Sequence, residues 1–429
     1  MNRLPSPLVF FFLGLPWILA ACVPQRESVR EITFSLWGAT EQLKAEEAIV
    51  AEFEREHPGI RVRLMPMGAR YLEKLQAMFV GQAAPDVIMI EINMYDNWAS
   101  RGVLADLTED LKEITRDHPL LPVPLRAFER EGRFFGLPIN CHGHVAYVNL
   151  DAFRAAGLPL PDGTWTWEQL LAQSPQLSRR HGNSSALTDY ALLIPQFPIF
   201  LAAEGATLFD SDSRPTRVTA DQPAVLRAFD LIRRLQASGC VVPPEVQSDQ
   251  GDFQLFRDGR LAVYFAGRWI VPELLGKTGF AWDIFSVPAG TAGSVTVHGG
   301  TVLSVWSKSR YPEEARAFVR FYASRAGAHR SMLAGRYAPV YADLAFQPEF
   351  LSLAPPRNMR KFSETMEEGR ARLPYYGPGM GQVGDIVLGR AGQALVQPEI
   401  PVSEIVRGLC FDLQRWLDQP RPTYPRKIP

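Results

Sequence analysis

Apolar and polar positions over residues 31–90 follow two periods that take turns along the chain. Residues 31–37 and 60–64 alternate with period two, and residues 85–90 are nearly all apolar, which predicts three strands. Between them, apolar residues recur every three or four positions over 43–56 and 71–80, which predicts two helices, the first capped by Thr40. Strand, helix, strand, helix, strand predicts a parallel sheet with right-handed crossovers.

The stretch from Gly136 to Asn149 departs from this regularity. Its second half continues a strand pattern, but Asn140-Cys-His-Gly-His144 places polar side chains where a buried strand should carry Val or Ile. Such local failures are expected where function outranks packing. We interpret the stretch as the chain passing from one lobe to another, with Asn140, His142 and His144 near the cleft between them. The alternative is a surface strand with polar residues facing water.

A second strand is interrupted in the same way. Residues 295–305 are apolar on both sides of His298-Gly-Gly300, which predicts a second crossing that returns the chain to the first lobe. The pattern also predicts a closing amphipathic helix over 404–417 and an exposed aromatic loop at Tyr375-Tyr-Gly-Pro-Gly379. Further helices are predicted near 150–157, 167–171, 195–203, 223–237, 252–258 and 312–322, and strands near 261–265 and 282–288; residues 190–194 are apolar.

Polar and aromatic residues collect where the predicted strands end. In open sheets of this kind, ligands bind beyond the carboxyl ends of the strands. Trp37, Glu41 and Gln42 follow the first strand, Glu91 and Asn93 follow the third, and Gly267-Arg-Trp269 follows a later one. The competing interpretations are core packing for Trp37 and a solvated turn for Glu91.

The N-terminus has the form of a secretory signal. Met1-Asn-Arg3 is positively charged, and the apolar run over 8–19 is too short to span a bilayer comfortably. It ends in Leu19-Ala-Ala-Cys22, which resembles a bacterial lipobox and implies lipidation of Cys22. We therefore expect residues 1–21 to be a signal peptide and residues 22–30 a linker from a lipid anchor; plain cleavage with Cys22 incidental is the alternative.

Length and composition limit the function classes. A chain of 429 residues suggests two or three domains, and 46% hydrophobic with 21% charged residues indicates a folded protein. The 45 Lys and Arg nearly balance the 46 Asp and Glu, so no strong electrostatic field favours binding of nucleic acid.

Cys141, Cys240 and Cys410 match no zinc-site spacing, and either one disulfide with a free thiol or three buried thiols fits the sequence. Cys141 precedes His142, but neighbours in a strand face opposite sides, which argues against a thiol nucleophile.

The segments together resemble the extracellular solute-binding proteins of ABC importers, family 1, which include the maltose-binding proteins. Besides the lipobox, the motifs are, in chain order, Glu54-Arg-Glu-His-Pro-Gly-Ile-Arg-Val62, Ala84-Pro-Asp-Val-Ile88, Phe135-Gly-Leu-Pro-Ile139, Tyr147-Val-Asn-Leu-Asp-Ala-Phe153, Thr164-Trp-Thr-Trp-Glu168, Ala202-Ala-Glu-Gly-Ala206 and Trp306-Ser-Lys-Ser-Arg-Tyr-Pro-Glu-Glu-Ala315. The resemblance implies a periplasmic-binding-protein-like α/β fold, with two α/β lobes, strand hinges and a ligand cleft. It implies an N-lobe of 31–140 plus about 296–345 and a C-lobe of 141–295 plus about 346–429.

The resemblance also implies a function and a set of ligand-binding residues. A monomer would capture a carbohydrate between its lobes and deliver it to the transmembrane subunits of an ABC permease, with no cofactor or metal. The implied set is Trp37, Glu41, Gln42, Glu91, Asn93, His142, Trp269, Gly300, Tyr337, Tyr375 and Tyr376. Ile90, Glu91 and Asn93 stand where family members often carry a tryptophan or an acid, and His142 stands where some carry a carboxylate, so the ligand is not fixed by the resemblance.

Two other functions are considered. A glycosidase would need two carboxylates across the sugar, for which Glu41 and Glu91 are the candidates. No nucleophile elbow, phosphate-binding loop or His-Glu-x-x-His motif accompanies them. The other alternative is a two-lobed protein that binds a non-sugar ligand, such as a polyol, a glycerol phosphate or a peptide.

Overall fold

The structure is a computed structural model. It describes residues 29–37, 40–68, 70–179, 189–243, 246, 252–334, 337–353, 355–420 and 424. The predicted signal peptide, Cys22 and most of the predicted linker lie outside these ranges.

Two separate sheets organise the described chain. The strands are Arg30–Leu36 (β1), Ile60–Pro66 (β2), Val87–Glu91 (β3), Leu137–Gly143 (β4), Val145–Asn149 (β5), Tyr190–Leu192 (β6), Leu261–Ala266 (β7), Trp282–Phe285 (β8) and His298–Val305 (β9). The first sheet has the order β2-β1-β3-β9-β4 and the second has the order β6-β7-β5-β8. We call the parts of the chain built on them the first and second lobes.

Helices cover both faces of each sheet. Those that come before β6 in the chain are Thr40–Glu56 (α1), Tyr71–Val80 (α2), Ile92–Ala99 (α3), Thr108–Thr115 (α4), Pro122–Phe128 (α5), Leu150–Ala155 (α6) and Trp167–Leu177 (α7). Those that follow are Pro198–Ala203 (α8), Pro223–Ala237 (α9), Asp252–Arg257 (α10), Val271–Leu274 (α11), Pro312–Ala323 (α12), Arg325–Leu333 (α13), Ala342–Ala345 (α14), Pro348–Leu351 (α15), Arg360–Glu364 (α16), Met380–Val396 (α17) and Val402–Leu417 (α18). Within the described ranges no helix is both long and apolar enough to cross a membrane.

The first sheet is buried on both sides, and two of its four strand pairs are parallel. β2, β1 and β3 pair in parallel, as predicted, and β9 enters antiparallel between β3 and β4. On one face Phe34 and Met89 pack with residues of α1 and α12. On the opposite face Ile88 and Val302 pack with residues of α2, α3 and α5. The alternation of side chains along β3 and β9 divides the core into these two layers.

The second sheet is built in the same way. Alternate β5 residues face opposite sides: Ala146 and Val148 pack into the cluster that contains α7, α8, α9, α17 and α18. Tyr147 faces the other layer, where Phe256 and Phe362 lie within aromatic contact distance. That layer is continuous with the α1 and α12 side of the first lobe. One apolar layer, on the side of α1 and α12, therefore continues from the first lobe into the second.

The chain passes from one sheet to the other after β4 and again before β9. β4 ends at Gly143 in the first sheet and β5 begins at Val145 in the second, so His144 alone separates the two strands. β9 begins at His298 and returns the chain to the first sheet. Beside this second crossing, the backbone of Arg370–Arg372 exchanges hydrogen bonds of 3.0 Å with Thr296.

The predicted interruption of the first crossing strand is confined to His144, and His298–Gly300, predicted to interrupt the second, are instead the first residues of β9. Asn140, Cys141 and His142 are regular members of β4 and pair with Thr301, Gly300 and Gly299. A β-bulge between Pro138 and Asn140 shifts the register. The polar residues therefore stay in the hydrogen-bond ladder, because pairing with β9 satisfies their backbone groups whatever side chains they carry.

The capping box that begins α7 provides a test of the local structure. The Thr166 hydroxyl accepts from the backbone N–H of Gln169, and the Gln169 side chain accepts from the N–H of Thr166. Thr166→Ala should lower the stability of the second lobe by about 1 kcal/mol, because one helix N–H loses its acceptor. Thr166→Ser keeps the acceptor and should stay within about 0.5 kcal/mol of the parent in urea denaturation followed by circular dichroism. Equal loss in both variants would contradict a role for the cap.

Candidate ligand-binding site between the lobes

The register of the first sheet places several predicted site residues on one face of the crossing strands. Directly opposed residues of antiparallel strands share a face, and neighbours along a strand alternate. Thr301 opposes both Glu91 and Asn140, and Gly299 opposes His142. Glu91, Asn140 and His142 therefore lie on the side of the sheet where α1 and α12 pack. We call the space between the lobes on this side the front cleft.

Trp269 of the second lobe meets His142 in the front cleft. It lies in a short 3-10 helix, Arg268–Ile270, after β7, and 40% of its surface is exposed. Its ring centroid is 4.4 Å from that of His142 and 5.5 Å from that of His144, with edge-on geometry to both. The sequence predicted that His142 and Trp269 share a site, and the structure brings them into contact.

Two glycines make room for this contact. A Cβ on Gly267 would lie 1.9 Å from the Trp269 ring and 2.7 Å from the His142 ring. A Cβ on Gly299 would lie 2.6 Å from His142 Nε2. All three distances are shorter than a real Cβ contact. Only glycine at positions 267 and 299 therefore leaves room for the His142 imidazole. Sequence analysis did not assign a role to Gly267 or Gly299, although glycine inside or at the end of a strand often marks such a close approach.

Burial keeps the histidines of the crossing uncharged. It lowers the pKa of His142 to about 3, with smaller contributions from His144 and His298, and lowers the pKa of His144 to about 4. Asn140 Nδ2 lies 3.1 Å from His142 Nδ1. With the amide as donor, the proton of the neutral His142 ring is on Nε2. The cleft therefore offers neutral donors and acceptors at this point.

Glu91 supplies a carboxylate at the first-lobe edge of the cleft. It is exposed to solvent, yet enough protein surrounds its carboxyl group that lost hydration raises its pKa above the usual value. A side chain that is both exposed and poorly hydrated lies in a concave part of the surface. Asn93, two residues on, is exposed in the first turn of α3, and its carbonyl oxygen faces Gly381 at the start of α17 in the second lobe.

The remaining predicted residues are less close to this centre. Trp37 is half-buried and packs edge-on against Tyr71 at 5.1 Å. Tyr337 is half-buried against the core cluster of the first lobe. Gly300 faces Phe128, which lies 3.0 Å from where its Cβ would be, so its role in the structure is packing on the other side of the sheet. The side chains of Glu41 and Gln42 lie outside the described residues.

The predicted exposed aromatic loop at 375–379 is wrong, because both tyrosine rings are buried. Tyr375 packs between Phe209 and Trp416 inside the second lobe. The Tyr376 hydroxyl lies 2.7 Å from His298 Nε2, and the two rings stack at 5.6 Å. Since His298 alternates with Gly299 along β9, it points away from the front cleft.

A cavity of about 1880 Å³ lies on that opposite side. Its walls come from both lobes: α5 and the 129–132 turn on one side, and residues 206–216 and 368–378 on the other. Arg126 of α5 pairs with Asp212 across the cavity, and its guanidinium lies 5.5 Å from the Tyr376 ring centre. We call this space the rear cavity. Front cleft and rear cavity are thus separated by the crossing strands.

Cysteine chemistry contributes nothing to either space. Cys141, Cys240 and Cys410 are free thiols, so the structure resolves the two arrangements in favour of unpaired cysteines. Burial raises the pKa of Cys141 to about 12, which keeps its thiol protonated and unreactive at neutral pH. In the described part of the chain no three His, Cys, Asp or Glu side chains are placed to hold a metal ion.

The three buried histidines predict a dependence of stability on pH. Burial also lowers the pKa of His298 to about 3, with Arg126 and Arg130 adding to the effect. Because each folded-state pKa is below the unfolded value of about 6.5, the unfolded chain binds more protons between pH 6.5 and 4. Stability should be fully present above pH 6.5 and fall toward pH 4, by roughly 1.4 kcal/mol per pH unit for each group.

The variant His144→Leu tests this origin of the pH dependence. His144 is buried, and its Nδ1 has no hydrogen-bond partner among the described residues, so leucine removes a titrating group without breaking a bond at that atom. Chemical denaturation at pH 7.5, 6.5, 5.5 and 4.5 should give a shallower loss of stability in the variant than in the parent. Parallel curves would contradict the assignment.

Comparison with known proteins agrees with the two-lobed architecture. The ABC substrate-binding protein Lmo0181 of Listeria monocytogenes, solved in complex with cycloalternan, superposes with a TM-score of 0.79 at 23% identity, over 90% of this chain and 99% of that chain. UgpB of Mycobacterium tuberculosis, in complex with glycerophosphocholine, gives a TM-score of 0.73 at 21% identity, over 90% and 98% of the two chains. At these identities the likeness establishes the fold and leaves the ligand open.

Sequence comparison identifies the family. The arabinooligosaccharide-binding protein of Bacillus subtilis is 22% identical over 351 residues, which are 75% of this chain and 76% of that protein. The family model for bacterial extracellular solute-binding proteins matches residues 38–329, which include both crossings, Glu91, His142 and Trp269. The chain therefore belongs to the bacterial extracellular solute-binding protein family.

Proposed function

We propose that the protein is the substrate-binding component of an ABC importer and captures a sugar or oligosaccharide in the front cleft. One observation carries the proposal: an exposed tryptophan of one lobe stands over neutral polar side chains on the strand that joins the lobes. Trp269 provides the flat apolar surface, and Asn140 and His142 provide the polar groups. The relatives named above that bind oligosaccharides support the same ligand class.

The chemistry of a sugar fits this arrangement. A pyranose ring has flat faces of C–H groups that stack on an indole, and an edge of hydroxyls that both donate and accept. Neutral imidazole and amide groups can bind hydroxyls in either direction, and the Glu91 carboxylate accepts from two of them. Closing the lobes would exclude water and strengthen each of these hydrogen bonds.

The further ligand-binding residues are part of the proposal. We assign Trp37, Glu41, Gln42 and Asn93 to the first-lobe wall of the front cleft, because they follow the ends of β1 and β3. Tyr337 would lie at its margin. We do not assign ligand contacts to Gly300, Tyr375 or Tyr376, since their surroundings are on the rear side of the crossing strands or inside the second lobe.

Delivery to a membrane permease completes the proposed function. The lipobox at Cys22 would anchor a monomer by its lipid at the outer face of the cell membrane, where the closed form could be recognised by the permease. For this role we divide the chain into an N-lobe of 31–140 plus about 296–345 and a C-lobe of 141–295 plus about 346–429. We propose no catalytic activity, since relatives in the family act as binding components of transporters.

A non-sugar ligand is the second candidate, and the glycerophosphocholine complex of UgpB gives a specific reason to test it. A thermal-shift panel should therefore contain mono- to oligosaccharides, polyols and glycerol phosphates. A true ligand at 100 times its Kd should stabilise the protein by about 2.7 kcal/mol. We expect the largest shift from a saccharide that is recovered chemically unchanged. Turnover of the saccharide would instead favour a glycosidase, and a shift only with glycerol phosphates would favour the second candidate.

Replacing the exposed indole tests the site directly. Trp269→Ala should weaken binding of the best ligand about 30-fold, which corresponds to about 2 kcal/mol, because the stacking surface is lost. Phe411→Ala is the matched control, since Phe411 is also an exposed aromatic residue, 62% accessible, on α18 of the second lobe. Isothermal titration should find unchanged affinity in the control. Unchanged affinity in Trp269→Ala would place the ligand elsewhere.

A further inference from the structure

Glu91 differs from the buried carboxylates of the protein in having no positive partner. Asp96 and Asp110, which are both buried, form ion pairs with arginine side chains. In the described part of the chain no hydrogen bond or ion pair holds the Glu91 carboxylate. Lost hydration raises its pKa, and no neighbouring positive charge counteracts this rise. The Glu91 carboxylate is therefore both poorly hydrated and unpaired.

The register of the first sheet places Glu91 in line with the centre of the front cleft. Glu91, Thr301 and Asn140 are directly opposed across β3, β9 and β4. Neighbouring strands are about 4.8 Å apart, so about 10 Å separates Glu91 from Asn140 along this row. Asn140 binds His142, which contacts Trp269. A saccharide that stacks on Trp269 and extends along the row therefore reaches Glu91.

The other described groups at this part of the cleft leave the Glu91 charge uncompensated. Burial keeps His142 and His144 uncharged. Arg268, next to Trp269 in the sequence, is only 4% exposed and packs over the ring of Phe350 instead of facing the cleft. The exposed indole of Trp269 itself attracts cations through its ring face. The described groups at this point therefore favour a positively charged ligand.

We propose that Glu91 selects the ligand of the front cleft by charge, and that this ligand is a saccharide with a primary ammonium group. An ammonium group has three donors and forms charge-assisted hydrogen bonds with a carboxylate, which would replace the water that Glu91 lacks. A hydroxyl at the same place donates one hydrogen bond and brings no charge, and a carboxylate or phosphate is repelled. The inference rests on the proposed function, which it narrows to amino sugars.

Matched sugars that differ in charge test the selection. The probes are glucosamine, glucose and glucuronate, then galactosamine against galactose, and the β-1,4-linked dimer of glucosamine against cellobiose. Each is titrated into the full-length protein at pH 6.5 and constant ionic strength, where the amine is protonated. The Kd is read from the indole N–H resonance of Trp269, which is assigned by its loss in Trp269→Phe.

The expected result is an order of affinity that follows charge. Each amino sugar should bind about 10-fold more tightly than its neutral counterpart, and glucuronate should bind more weakly than glucose. Glu91→Gln keeps the shape of the side chain and removes its charge, so these differences should fall below about two-fold. Glu404→Gln is the same change at an exposed glutamate on α18 of the second lobe and should retain the parental preference.

Three results would overturn the inference. Equal affinity for the amino and neutral members of the pairs would exclude charge selection but leave the proposed capture of sugars intact. A preference for amino sugars that persists in Glu91→Gln would exclude Glu91 as its cause. Absence of any saturable shift of the Trp269 signal with the amino sugars would also overturn it, whereas the proposed function fails only if the wider saccharide panel shows no binding either.

Discussion

The structure depends on how the chain keeps polar side chains inside the crossing between its two lobes. His142, His144 and His298 lie where two sheets meet, and burial lowers the pKa of each far enough to keep the ring neutral. The backbones of Asn140–Gly143 and His298–Thr301 stay paired through this region, so the cost of burial falls on the side chains. The buried imidazoles lower the stability of the protein because they lose hydrogen bonds to water. A ligand that forms hydrogen bonds with them would restore part of this loss.

The alternation of the crossing strands gives the molecule two different spaces. Side chains on one face of the crossing strands, including His142, point into the front cleft. There His142 contacts the solvent-exposed Trp269. On the other face His298 contacts Tyr376, which Arg126 of the opposite lobe also approaches. The front cleft combines an exposed indole with neutral polar groups, whereas the rear cavity is crossed by the Arg126–Asp212 ion pair. Motion of the lobes must change both spaces together.

Much of this could be predicted from the sequence. The period-two and period-3.6 patterns located most strands and helices, and the two polar interruptions correctly indicated where the chain crosses between lobes. His142 was predicted from the polar residues inside the crossing strand, and Trp269 from the turn at the end of a strand, where ligands often bind. Each of these features depends on residues that are close together in the chain, so the pattern of the sequence is enough to predict it.

The features that the sequence did not predict depend on long-range pairing. Tyr375 and Tyr376 looked like an exposed loop because their partners, Trp416 and His298, are distant in the chain. Gly267 and Gly299 acquire a role only when His142 is placed between them. Tyr424 lies in a proline-rich tail with no pattern of its own, and its contact with Asp96 joins residues 328 positions apart.

The most direct measurement is nuclear magnetic resonance of the labelled imidazole and indole nitrogens during titration with the best-binding saccharide. The account predicts that the signals of His142 and Trp269 shift together on binding at pH 6.5, with His142 remaining neutral and protonated on Nε2. Saturable binding that leaves both signals unchanged while that of His298 shifts would contradict it, because the ligand would then occupy the rear side of the crossing strands.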